Sequence, residues 1–78
     1  QDRKPPQDSK TALQEWAQGR GLPLPRYTVV DRSGPPHEPQ FTVEAAVDGY
    51  EGARGQGRSK RLAEQDAATQ LLQRLTNA

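Results

Sequence analysis

Between Gln40 and Asp48 one face of the chain is wholly apolar and the other mostly polar: Phe41, Val43, Ala45 and Val47 against Thr42, Glu44, Ala46 and Asp48. Successive side chains of a strand point to opposite faces, so a clean period of two predicts a strand with one buried and one wet face. Such a strand is stable only beside partners and beneath a covering layer. Every other segment of this chain has to be judged by whether it can supply one or the other.

Partners come from either side. Arg26 to Asp31 alternates Tyr27 and Val29 with Arg26 and Thr28, and predicts a first strand. Ser33-Gly34-Pro35-Pro36-His37-Glu38-Pro39 holds too much proline to pair and predicts a loop. A turn at Asp48-Gly49 leads to a weak third strand around Glu51 to Arg54. The cover comes from two helical segments. Ser9 to Arg20, capped by Asp8 or Ser9 and ending near Gly19 or Gly21, places Ala12, Leu13, Trp16 and Ala17 on one side. Leu22-Pro23-Leu24-Pro25 stops it. Ser59 to Leu75 carries a stripe of Ala63, Ala67, Leu71 and Leu75, flanked by Ala68 and Leu72. The expected architecture is α+β: an αβββα two-layer domain over residues 9–76, a three-stranded antiparallel sheet with both helices packed on one face. The polar, proline-bearing residues 1–8 read as a linker from a preceding region, and the missing initiator methionine as a sign that the chain is part of something larger.

Composition bounds the function. At 78 residues and 31% hydrophobic, one small core is all that can form. The absence of cysteine removes disulfides and thiolate zinc sites, which fits a cytoplasmic protein, and no apolar run reaches membrane-span length. The net charge of +1 conceals segregation. Gly52 to Ala63 holds Arg54, Arg58, Lys60 and Arg61 with no acid, whereas Asp31 to Glu51 holds five acids (Asp31, Glu38, Glu44, Asp48, Glu51) against Arg32. Catalytic patterns are missing. His37, the one histidine, has no ligand company, and the glycines at 52, 55 and 57 match neither G-x-G-x-x-G nor a phosphate-binding loop. No dense acidic cluster could hold magnesium, so neither a catalytic nor a metal site is expected, and no cofactor.

What remains is a binding surface. Arg58, Lys60 and Arg61 crowd the start of the last helix, where the dipole favours anions and disfavours cations. With Ser59 they form a site suited to phosphates. On the first helix, Thr11, Gln14, Glu15 and Gln18 make a polar stripe, better matched to hydroxyls and base edges. Pro36 and His37 offer a third contact. A cation cluster flanked by two hydrogen-bonding surfaces is what a reader of duplex RNA needs, for one major groove and the two minor grooves beside it. Taken singly, each element also reads as an ordinary solvated surface.

The residues resemble a known family. Gly57-Arg58-Ser59-Lys60-Arg61-Leu62-Ala63-Glu64, with Ala67-Ala68 and Leu71-Leu72, is similar to the signature of the double-stranded RNA-binding domain. Lys10-Thr11-Ala12-Leu13-Gln14-Glu15-Trp16, Pro25-Arg26-Tyr27 and Gly34-Pro35-Pro36-His37 resemble the C-terminal domain of bacterial ribonuclease III. The resemblance implies that Thr11, Gln14, Glu15 and Gln18 meet one minor groove and Pro36 and His37 the next. Arg58, Ser59, Lys60 and Arg61 then hold the phosphates between. It implies a parent that is a homodimeric, magnesium-dependent endoribonuclease of the cytoplasm, processing structured RNA including ribosomal RNA, with Mg2+ only in its catalytic domain. Glu64 departs from the pattern, since many such domains have a third cation there. A protein-interaction module of the same fold, or a domain of a different RNA enzyme, are the alternatives.

Overall fold

The computed structural model describes residues 8–77. Its elements run α1 (Ser9–Gly19), β1 (Arg26–Ser33), β2 (Gln40–Ala46), β3 (Ala53–Gly57) and α2 (Lys60–Thr76). The three strands form one antiparallel sheet in the order β1-β2-β3. Of the expected linker only Asp8 lies within the described residues, and it is the N-cap of α1.

The alternation in β2 holds. Val43, Ala45 and Val47 are buried while Thr42, Glu44 and Ala46 keep partial solvent contact. The core they share with Leu13, Ala17, Ala53, Ala63, Ala67, Ala68 and Leu71 comes from both helices and from β2 and β3, which puts both helices on one sheet face. Trp16, Tyr27, Phe41, Leu22, Leu72 and Leu75 pack around its margin and are only partly buried. Helix α1 ends where Leu22 N–H returns to the Ala17 carbonyl at 2.9 Å and Gly21 N–H to that of Gln18 at 3.0 Å, a Schellman closure that folds Leu22 back onto the core.

Three strand boundaries differ from the expectation, each for a tertiary reason. β1 continues to Ser33, because a bulge at Val30 shifts the register and lets Asp31, Arg32 and Ser33 pair with Thr42, Phe41 and Gln40. Val29 faces the helix side opposite Val43 but stays 41% exposed, because α2 lies over β2 and β3 and leaves this edge uncovered. β2 stops at Ala46, where the chain enters the turn closed by Tyr50 N–H on the Val47 carbonyl. β3 lies further on than Glu51–Arg54 and takes in Gly55 and Gly57. Glycine is a poor strand former, but here the α2 backbone leaves no room for a side chain. A Cβ on Gly55 would stand 2.1 Å from the Ala67 nitrogen, and one on Gly57 2.6 Å from the Ala63 nitrogen.

Helix α2 also shields the free edge of β3. The Asp66 carboxylate accepts Gln56 N–H at 2.9 Å, and Arg74 donates to the carbonyls of Glu51 and Gly52 at 3.1 and 2.9 Å. One edge group of β3 and the two carbonyls just before the strand are thereby occupied.

Candidate nucleic-acid interface

The sheet register brings two of the three expected contact regions together. Phe41 pairs with Gly57 and Gln40 with Ser33, so the β1–β2 loop and Arg58 leave the same end of the sheet. In that loop Glu38 N–H donates to the Pro35 carbonyl at 2.9 Å, leaving Pro36 and His37 exposed at the tip of a closed turn. Gly34 makes the turn possible: its φ is +86°, and a Cβ there would stand 2.6 Å from the Glu38 carbonyl oxygen.

At the start of α2, Ser59 has extended backbone angles and its Oγ accepts Leu62 N–H at 3.1 Å. It is the N-cap, so Arg58 precedes the helix, and only Lys60 and Arg61 stand in its first turn. Its oxygen accepts from the helix, which leaves the hydroxyl proton free to donate, the role a phosphate ligand would ask of Ser59. Arg58, Lys60 and Arg61 are all exposed. The contrast with the other described cations is informative. Lys10 pairs with Glu64, Arg26 with Asp48 and Arg54 with Glu44. Arg20 stacks on Trp16, Arg32 on Phe41, and Arg74 is bound to backbone carbonyls. Among the described residues Arg58, Lys60 and Arg61 have no acidic or aromatic partner.

The third region, Thr11, Gln14, Glu15 and Gln18, is exposed along α1 as the periodicity predicts. What joins it to α2 was not legible in the sequence. Gln65 Oε1 accepts Ser9 N–H at 2.9 Å, while its Nε2 donates to the Asp8 carboxylate at 2.6 Å. The Ser9 and Thr69 hydroxyls are hydrogen-bonded, and Lys10 Nζ lies 2.6 Å from Glu64 Oε1. These partners are more than 50 residues apart, so no local pattern announces them. The Gln65 hydrogen bond, helped by the N–H groups of Thr11 and Lys10, holds the Asp8 carboxyl below its usual value of 3.8. Tyr27 lies under Lys10, with the ammonium 5.1 Å from its ring centre. Its hydroxyl is shut off from solvent without a partner among the described residues. That burial, reinforced by the negative charges of Glu64 and Asp8, pushes it up to about 12.

The β1–β2 loop, the basic turn and the start of α1 therefore follow one another in space, linked by the sheet end on one side and the inter-helix contacts on the other. Among the described residues no group of three or more acidic or histidine side chains could hold a metal ion, and no helix is long and apolar enough to cross a membrane.

Residues 9–75 match the family described as double-stranded RNA binding motif. Ribonuclease 3 of Caulobacter vibrioides is 58% identical over 69 residues, which is 88% of this chain and 30% of that protein. Ribonuclease 3 of Anaplasma marginale is 53% identical over 72 residues, 92% of this chain and 31% of that protein. The chain thus spans about a third of the length of the curated relatives it matches. Among solved structures, that of both dsRBDs of DRB4 with their linker superposes with a TM-score of 0.68 at 36% identity, over 88% of this chain and 44% of that one.

Proposed function

The chain belongs to the double-stranded RNA-binding motif family, and from that premise we propose that it grips RNA duplexes by shape, as the substrate-binding domain of a ribonuclease III type endoribonuclease. The observation that carries the reading is the basic turn, Arg58, Lys60 and Arg61, which has no acidic or aromatic partner among the described residues and lies between two hydrogen-bonding surfaces. Phosphates lining the major groove meet the turn, where the α2 dipole and free N–H groups add to the side-chain charge. Thr11, Gln14, Glu15 and Gln18 lie in one minor groove, and Pro36 and His37 enter the next, where 2′-hydroxyls are displayed. Ser59 holds the helix end in shape and donates its hydroxyl proton to the same backbone.

This chain's part is binding. Cleavage, with Mg2+, belongs to the catalytic domain of the whole enzyme, a cytoplasmic homodimer that processes structured RNA, ribosomal RNA included. The relatives' shared name, Ribonuclease 3, and their identity across nearly all of this chain support the ribonuclease III part of that reading.

The test is electrostatic. Replacing Lys60 and Arg61 together by Ala is expected to leave the fold intact, since both are exposed. It is expected to weaken binding to every RNA duplex sequence tried and to flatten the dependence of log K on log salt by roughly one to two units. A double variant that binds normally, with an unchanged slope, would remove the basic turn from the interface.

A further inference from the structure

Glu64 stands one turn beyond Lys60, where a carboxylate repels the phosphates the turn is there to hold. Its position makes sense through its partner. Its Oε1 is 2.6 Å from Lys10 Nζ, and the two side chains are only 24% and 36% exposed. Lys10 in turn lies over the Tyr27 ring and immediately precedes Thr11, the first residue of the polar stripe. The pair therefore spans the seam between the two surfaces that must address different grooves of one duplex.

A duplex is read by shape only if the spacing between those surfaces is fixed. The hydrogen bonds across the seam, Asp8 and Ser9 with Gln65 and Ser9 with Thr69, gather at the very start of α1. Leu13 and Ala17 seat α1 on the core, but apolar contact is non-directional and does not fix the helix's angle as a directional polar contact does. Lys10–Glu64 is the one ion pair between the helices among the described residues, and it adds a second, charged tether on the next side chain. We propose that Glu64 and Lys10 are positioning residues, holding the α1 stripe at the angle to the basic turn that fits an A-form groove. The pair sets selectivity between RNA and DNA duplexes and gives up some overall affinity for it. The inference rests on the duplex-RNA reading above.

Four variants test it: Glu64→Gln, Lys10→Met, Lys10→Arg and the exchanged pair Lys10→Glu with Glu64→Lys. Each is titrated with an RNA and a DNA duplex of equal length, well below its melting temperature. Glu64→Gln removes a repulsive charge, so DNA binding is expected to hold or tighten, while the RNA-to-DNA affinity ratio falls roughly 3- to 10-fold, the equivalent of one or two misplaced hydrogen bonds. Lys10→Met, which keeps the stem over Tyr27, is expected to lower the ratio similarly. Lys10→Arg, which keeps the pair, is expected to preserve it. The exchanged pair is expected to restore the ratio and to tighten binding to both duplexes, because a cation then faces the phosphates.

Variants that melt earlier but keep the wild-type ratio would show the pair to be a stability contact alone. Equal losses on RNA and DNA for Lys10→Met would make Lys10 an ordinary phosphate contact. Either result overturns the proposal. If the unmodified domain itself fails to prefer RNA, the duplex-RNA reading falls first, which separates the two failures.

Discussion

Gly55 is where a single methyl group does most damage. In Gly55→Ala the new Cβ would lie 2.1 Å from the Ala67 nitrogen, 2.5 Å from the Asp66 carbonyl carbon and 2.6 Å from the Ala67 Cα. Ordinary contact needs about 3.5 Å, so the shortest of these is roughly 1.4 Å too close. All three atoms are helix backbone, which no side-chain rotation can move. Either α2 lifts from the sheet or β3 withdraws from β2. Lifting opens a gap beneath Ala63, Ala67 and Leu71, and a gap of 0.5–1 Å already forfeits about a quarter to a half of each dispersion contact. Overpacking of this kind costs about 1–3 kcal/mol, and immovable neighbours put Gly55 at the upper end. The smaller entropy of the unfolded alanine chain returns about 0.4–1 kcal/mol.

A net loss of about 2–2.6 kcal/mol is therefore expected. Domains of this length have about 4–12 kcal/mol in total, and the corresponding fall in Tm is roughly 10–20 °C. Urea titration followed by circular dichroism, with Gly19→Ala as the control, measures it. Gly19 has nothing within 4 Å of its would-be Cβ, so that variant is expected to match or slightly exceed the wild type. A Gly55→Ala protein within about 0.5 kcal/mol of wild type would show that α2 does not rest on β3 as described, and with it would go the placement of the basic turn.

Two further outcomes are expected. Tyr27 rises from 10.0 to about 12 on folding, so between those values the unfolded chain has released a proton that the folded one keeps. Stability from this group is present below pH 10 and is lost as pH climbs towards 12. Tyr27→Phe is expected to flatten that alkaline decline, with little loss at neutral pH because the hydroxyl has no partner to forfeit among the described residues; a variant whose denaturation midpoints track the wild type from pH 9 to 12 would refute it. Gln14→Ala with Gln18→Ala is expected to narrow the preference for RNA over DNA duplexes in a competition gel, whereas the Lys60 and Arg61 changes lower binding to both. Equal binding of the unmodified domain to the two duplexes would reduce the basic turn to a general polyanion patch.

The order of elements was legible in the chain because it depends on local periodicity. The alternation through Phe41, Val43, Ala45 and Val47, the stripes through Leu13 and Leu71, and the proline stop after Leu22 each act within a few residues. The exposed candidates, Thr11, Gln14, Glu15, Gln18, Pro36, His37 and the basic turn, were legible for the same reason: a residue type on a predictable surface needs no partner to be recognised. Packing between distant segments decided the rest. β3 accommodates Gly55 and Gly57 only because α2 crosses directly above them, and strand propensity alone argues against both. Val29 remains exposed because the covering helix is centred two strands away, which no pattern within β1 encodes. Glu64 reads as a misplaced charge until Lys10, 54 residues earlier, is found beside it. A chain displays its periodicities residue by residue, but a side chain's role is set by its neighbours, and those are chosen only when the helices settle on the sheet.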